Sequence, residues 1–380
     1  MIEFFSGIGG MRCSVERALK DKHTTISTSL QSCVAYEISL QANETYEYNF
    51  CDLNGNSDDF QVKTKLVEQL KVSELDGKAD LWTMSPPCQP FTTTRNSKQC
   101  DMDDKRTLGF RSIMKLLTSL HEKPKWILLE NVKGFVGSQA LKLWYQCLST
   151  CGYTWREYVL NPISTVQIPN NRTRYYMICE LSNRWQTSTL KTMSENKSQI
   201  YTSLESDSES IFFEKQQNNN QTKISKEIQP LSNFLSTTDE EINHLSNYII
   251  PDDILRKPWA SQLPIVTRND RITYCFTAAY GRIYHKATGS FLLMYPTDRP
   301  ACADLPIERC TDMSTLYSNK LRRFTPKELL GLFGFPSSFA FPDSISLEKQ
   351  YKLIGNSINV FVVTQIVIEL LKDYKDNTHP

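Results

Sequence analysis

The stretch "MIEFFSGIGGMRCSVERALK", Met1–Lys20, decides the fold. An apolar run, Met1–Phe5, leads into Ser6, Gly7, Ile8, Gly9 and Gly10, and from Met11 onward the residues read as a helix. Glycines at such a junction let the backbone turn sharply and approach a ligand closely. The spacing is GxGG, not the GxGxxG that cradles a pyrophosphate, and by itself it also fits a strand-to-helix turn that binds nothing.

Working outward, three more apolar runs close on polar or reactive residues: "SCVAYE" (Ser32–Glu37), "ADLWTMSPPC" (Ala79–Cys88) and "PKWILLENV" (Pro124–Val132). Runs of this kind, separated by helix-like stretches, are the pattern of buried parallel strands in a doubly wound, mostly parallel α/β sheet. Ligands of such sheets bind at the carboxyl ends of the strands. Ser6–Gly10, Glu37, Ser85–Cys88, Glu130 and Asn131 are therefore expected along one edge. Glu37, closing the second run, suits the two hydroxyls of a ribose, so the expected ligand carries adenosine without a diphosphate. S-adenosyl-L-methionine is such a cofactor.

With 43 basic and 42 acidic residues the net charge is +1, so any nucleic-acid contact must come from a local basic cleft. Eleven cysteines without a CxxC pair suggest neither a disulfide framework nor a metal site, and fit a reducing compartment. No basic leader precedes the first strand, and the apolar run "INVFVVTQIVIELL" is shorter than the roughly 20 residues that span a bilayer. The expectation is a monomer in the cytoplasm or nucleus, without a membrane partner.

At 380 residues the chain suits one large α/β domain or two domains. The expected division is a catalytic, cofactor-binding domain over 1–185, a low-complexity disordered insertion over 186–225 ending in "EKQQNNNQTK", a smaller domain over 226–320, and a segment over 321–380 that returns to the first domain. In "FTPKELLGLFGFP", Thr325 as cap, Pro326 at the first helical position and Glu328 three residues on mark a helix start.

The chemistry centres on "MSPPCQPFTTTR", Met84–Arg95. Each proline fixes its own φ and restricts the residue before it, so Cys88 sits on a stiff loop at a strand end. A cysteine that merely fills a core needs no such flanks, and a rigid thiol beside a cofactor suggests a nucleophile. Glu130 ends the "WILLENV" strand, where a carboxyl group could serve as an acid. In "NNRTRYYMIC", Arg172 and Arg174 alternate in what reads as a strand, so both guanidinium groups are expected on one face. Together these groups suit attack of a thiol on a pyrimidine ring, with methyl transfer to the activated carbon of an unstacked base. A zinc deaminase needs a PCxxC pair that "PCQPF" lacks.

In this order, "FFSGIGG", "SPPCQPF", "ENVKGF", "NRTRYY" and "LIGNSINV" resemble the cytosine-5 DNA methyltransferase family, over nearly the whole chain outside the low-complexity stretch. "ENVKGF" and "CFTAAYG", Cys275–Gly281, make it most similar to that family's second eukaryotic type, whose members act on aspartate transfer RNA. The resemblance implies a Rossmann-like methyltransferase fold with a smaller target-recognition domain. It further implies Cys88 as nucleophile, Glu130 against the base, Arg172 and Arg174 as site cations, and Ser6, Gly7, Ile8, Gly9, Gly10, Glu37, Asn356 and Ser357 around S-adenosyl-L-methionine. Transfer RNA is the implied substrate, with DNA as the alternative, or a weakly catalytic nucleic-acid-binding protein. Asn170 stands where many DNA enzymes of this family carry glutamine.

Overall fold

The computed structural model describes residues 1–21, 29–51, 59–88, 91, 104–181, 200–204, 227–236, 245–285, 288–294 and 312–372. Among them, eight strands form one sheet: β1 (Ile2–Phe4), β2 (Cys33–Glu37), β3 (Phe60–Thr64), β4 (Leu81–Met84), β5 (Trp126–Val132), β6 (Thr154–Leu160), β7 (Arg174–Glu180) and β8 (Ile200–Tyr201). Their order is β3-β2-β1-β4-β5-β7-β6-β8. Strands β1 to β5 run parallel, and β7 lies antiparallel between β5 and β6. The four apolar runs read from the sequence are β1, β2, β4 and β5. They read clearly because central parallel strands are covered on both faces, and every residue of β1 and β4 is buried.

Helices connect the strands: α1 (Gly10–Leu19), α2 (Leu40–Phe50), α3 (Leu108–Ser119) and α4 (Gln139–Thr150). Ser39 and Ser138 cap α2 and α4 by accepting the backbone N–H groups of Ala42 and Leu141. Under the sheet's central strands, Phe4 meets Trp82 edge to face at 5.0 Å, and Phe110 and Trp144 pack in the same buried cluster. Each such ring taken out of water stabilises the fold by about 1.5–3 kcal/mol.

By backbone contacts the chain divides into two compact units: 1–161 with 173–207 and 360–380, and 162–172 with 208–359. Residues 321–359, grouped by the sequence reading with the returning segment, thus fall in the second unit. The reason is packing: the helix Pro326–Phe333 contacts the helix Leu347–Asn356, whereas the helix Val360–Leu371 contacts α1 and β7. By length and composition, Leu347–Leu371 could cross a bilayer, but 72% of its most apolar window is buried inside the protein. Most of the expected disordered insertion lies outside the described residues. Within it, Ile200–Tyr201 pairs with β6 as an edge strand, and the Tyr201 ring lies 5.6 Å from Tyr158, because a β-branched residue beside an aromatic fits a half-buried edge.

In the second unit a small sheet orders as β11-β10-β9, with β9 (Ile265–Val266), β10 (Phe291–Leu293) and β11 (Leu321–Arg322). The helix start at Thr325 is as read: Thr325 and Glu328 form a capping box with Pro326 in the first turn. Glu328 also receives both terminal nitrogens of buried Arg322, at 2.7 and 2.8 Å.

One buried carboxyl group lies directly below the glycine turn. Glu3, fully buried in β1, accepts a hydrogen bond from the Tyr46 hydroxyl at 3.2 Å, and burial pushes its pKa up to about 8. The unfolded chain loses this proton near pH 4.5 while the folded chain keeps it to about pH 8, so stability falls across that window and levels off above it. Glu3→Gln is expected to flatten this slope. The variant should melt like wild type at pH 5 and above it at pH 8, by an amount on the order of a few kcal/mol in urea titrations; parallel pH profiles would refute the assignment.

Candidate active site

In the strand order β3-β2-β1-β4-β5 the chain direction of winding reverses between β1 and β4, and the crevice outside the carboxyl ends at such a point is where doubly wound sheets bind ligands. The loop after β1 and the loop after β4 both start there. They carry Ser6–Gly10 and Ser85–Cys88 respectively.

The first loop is forced by backbone geometry. Phe5, Gly7 and Gly9 have φ of 55°, 54° and 85°, the left-handed region where side chains are strained. A Cβ at Gly9 would lie 2.3 Å from a ring carbon of Phe50, so only glycine lets α2 pack against the start of α1. A Cβ at Gly7 would meet nothing within 4 Å, so the loop is open there. Ile8 is buried and Gly10 is the first residue of α1. The Ser6 hydroxyl is buried without a hydrogen-bond partner among the described residues, a polar atom suited to a ligand.

Glu37, ending β2, is fixed by main-chain donors. One carboxylate oxygen accepts the N–H groups of Ile38 and Ser39 at 2.8 and 2.9 Å, and the other accepts that of Gly7 at 3.0 Å. A carboxylate offers about four acceptor positions, so this arrangement orients the group and leaves room for a ribose hydroxyl. Gly7, Ser6 and Glu37 therefore fit a nucleoside-bearing cofactor without a diphosphate.

The second loop is seated by the strand beside it. Asn131, buried at the end of β5, donates its side-chain N–H to the Pro86 carbonyl at 3.3 Å. The Cys88 carbonyl accepts the Phe91 N–H at 2.9 Å, and the buried Phe91 ring packs edge-on against Phe135 at 4.9 Å. Gly134 makes this possible, since a Cβ there would sit 2.1 Å from the Phe91 carbonyl oxygen. The loop that carries Cys88 is thus held at Pro86, at its own carbonyl and at Phe91. Sequence reading placed Asn131 at this edge but assigned it no contact, and it missed Gly134 and Phe91. The available signal was a glycine directly after the "ENV" strand and an aromatic residue three positions after the cysteine. Residues 89, 90 and 92–103 lie outside the described residues.

Cys88 differs from the cysteines of the core. Burial pushes the thiols of Cys33 and Cys147 up to about 12, and raises those of Cys13 and Cys179 further, so these four behave as small apolar side chains. Cys88 is partly exposed at the sheet edge.

Glu130, near the end of β5, faces Arg174 on the adjacent β7, with Nε to carboxylate oxygen at 3.4 Å and both side chains mostly buried. The guanidinium compensates the carboxylate's charge in a dry setting. The expected pairing of Arg172 with Arg174 on one strand face does not hold, because β7 begins only at Arg174. Arg172 belongs to the second unit. It donates to the carbonyls of Phe276 at 3.1 Å, Gly355 at 3.2 Å and Ser357, and its guanidinium lies over the Phe333 ring. It clamps "CFT" to "IGNS". Asn356, exposed, ends the helix Leu347–Asn356, and partly exposed Ser357 caps it.

A model of the C-5 cytosine-specific DNA methylase family matches residues 1–372. The chain belongs to this family, and its chemistry is methyl transfer to carbon 5 of cytosine. It is 32% identical over 411 aligned positions to tRNA (cytosine(38)-C(5))-methyltransferase of Rattus norvegicus, covering 97% of this chain and 98% of the relative. It is 31% identical to a DNA (cytosine-5)-methyltransferase of Dictyostelium discoideum, covering 97% and 93%. Among solved structures, a mutant of DNMT2 from Spodoptera frugiperda superposes with a TM-score of 0.71 at 30% identity, covering 97% of this chain and 98% of that one.

Proposed function

We propose that the chain methylates carbon 5 of a cytosine in transfer RNA, with S-adenosyl-L-methionine as methyl donor and Cys88 as nucleophile. The observation that carries the substrate class is the full-length likeness to a relative named for cytosine 38 of tRNA. The anticodon loop of aspartate transfer RNA is the favoured target.

The cofactor supplies an electrophilic methyl group, and Ser6–Gly10 with Glu37 would hold it at the β1 edge. On this chain, the Cys88 thiolate adds to carbon 6 of an unstacked cytosine, which leaves carbon 5 electron-rich. Glu130 meets the polar edge of the ring, and Arg174 balances the charge there. After methyl transfer, carbon 5 loses its proton, the S–C6 bond breaks, and the ring double bond returns with the thiolate as leaving group. The rigid seat of Cys88 supports this reading, since addition to one ring carbon needs a thiol fixed in position.

The likeness to the Dictyostelium relative favours a second reading, duplex DNA, which needs the same ring chemistry. Initial rates of labelled methyl transfer decide between them. Unmodified aspartate tRNA is expected to be preferred over duplex DNA by about a hundredfold or more. Faster transfer to DNA would overturn the RNA reading.

A further inference from the structure

The second unit carries a short exposed platform that the chemistry above does not use. Within Arg271–Cys275, Thr273 is buried, while Ile272 and Tyr274 on either side are each 54% exposed. Residues at alternate positions of an extended segment share a face, so the two apolar groups stand side by side. Their backbone is pinned. The Thr273 hydroxyl donates to the Pro169 carbonyl at 2.8 Å, the Thr273 carbonyl accepts the Asn171 N–H at 3.3 Å, and the Tyr274 N–H donates to the Ser290 hydroxyl at 2.8 Å.

The flanking charge is positive. Arg268, Arg271 and Arg282 are exposed, and the half-buried Asp270 carboxylate accepts the Thr267 N–H at 2.5 Å. Arg271 has an acidic neighbour, Glu227, at 3.6 Å, an exposed pair that water and salt weaken. Large exposed apolar groups are normally explained by a partner when they are grouped and rigid. Single-stranded nucleic acid matches both properties, because bases stack on aromatic rings while phosphates meet guanidinium groups.

We infer that Tyr274, supported by Ile272, is a platform on which an unpaired base of the RNA stacks. This rests on the RNA reading above. Such a contact adds binding without touching the reacting atoms, so it acts on substrate affinity rather than on the chemical step.

The test compares wild type, Tyr274→Ala and Tyr274→Phe on aspartate tRNA and on its isolated anticodon stem-loop. Tyr274→Ala is expected to raise KM and Kd roughly tenfold, with kcat within about twofold of wild type, and Tyr274→Phe is expected to restore both. Among single abasic substitutions at the unpaired positions of the stem-loop, one should erase the difference between wild type and Tyr274→Ala. Thermal melts report that the exposed substitutions leave the fold unchanged. Equal KM and Kd for wild type and Tyr274→Ala overturn the platform while leaving RNA methylation standing. Methylation of DNA but not RNA by wild type overturns both.

Discussion

Cys88→Ala is expected to lower methyl transfer by at least about ten-thousandfold, since the alanine methyl group offers no nucleophile on that seat. Cofactor binding is expected to survive, because the contacts proposed on the loops after β1 and β2 do not pass through Cys88. The melting temperature also survives, as removal of one partly exposed sulfur changes stability by about 0.5 kcal/mol or less. Single-turnover transfer from labelled cofactor, with binding measured separately by calorimetry, checks both halves. Residual turnover near wild type would remove Cys88 from the reaction.

Gly134→Ala has the next largest effect, and it acts at a distance from the reacting atoms. Its new Cβ would lie 2.1 Å from the Phe91 carbonyl oxygen, far inside contact distance, and the obstacle is main chain that cannot swing aside as a side-chain end can. Relief requires Phe91, whose N–H bonds the Cys88 carbonyl, to shift by about 1 Å, and a misplacement of that size passed on to Cys88 costs about a hundredfold in rate. The expected result is a hundredfold lower kcat with cofactor affinity retained, because the glycine turn after β1 is untouched. Full activity would show that the Cys88 loop does not depend on its seat at Phe91.

What the sequence made legible follows from how local each signal is. The strands β1, β2, β4 and β5 could be read because burial on both faces leaves unbroken apolar runs. The edge strand β3, "FQVKT", could not, since none of its residues is fully buried and its pattern is mixed. Thr325 and Glu328 announced a helix start because a capping box needs only residues three apart. Arg172 shows the opposite limit. Its partners Phe276, Gly355 and Ser357 are 104, 183 and 185 residues away and offer only main-chain carbonyls, which carry no signature in residue type.

The site divides in the same way. Cys88 and Glu37 were legible from residue type at strand ends, and the prolines announced a stiff loop. The devices that fix the loop were not, because Asn131 acts on a carbonyl and Gly134 acts by lacking a side chain. The unit boundary at 359/360 was equally silent, since it depends on Val360–Leu371 packing against α1 at the other end of the chain.

The most direct test is to offer the wild-type chain, with S-adenosyl-L-methionine, an aspartate tRNA whose target cytosine carries fluorine at carbon 5. Fluorine cannot leave as a proton, so the S–C6 bond formed on addition cannot be released. The account predicts a denaturant-stable protein–RNA adduct that peptide mapping places on Cys88 and that Cys88→Ala abolishes. Methylation of the unmodified tRNA without any adduct on the fluorinated one, or an adduct on another cysteine, would contradict it.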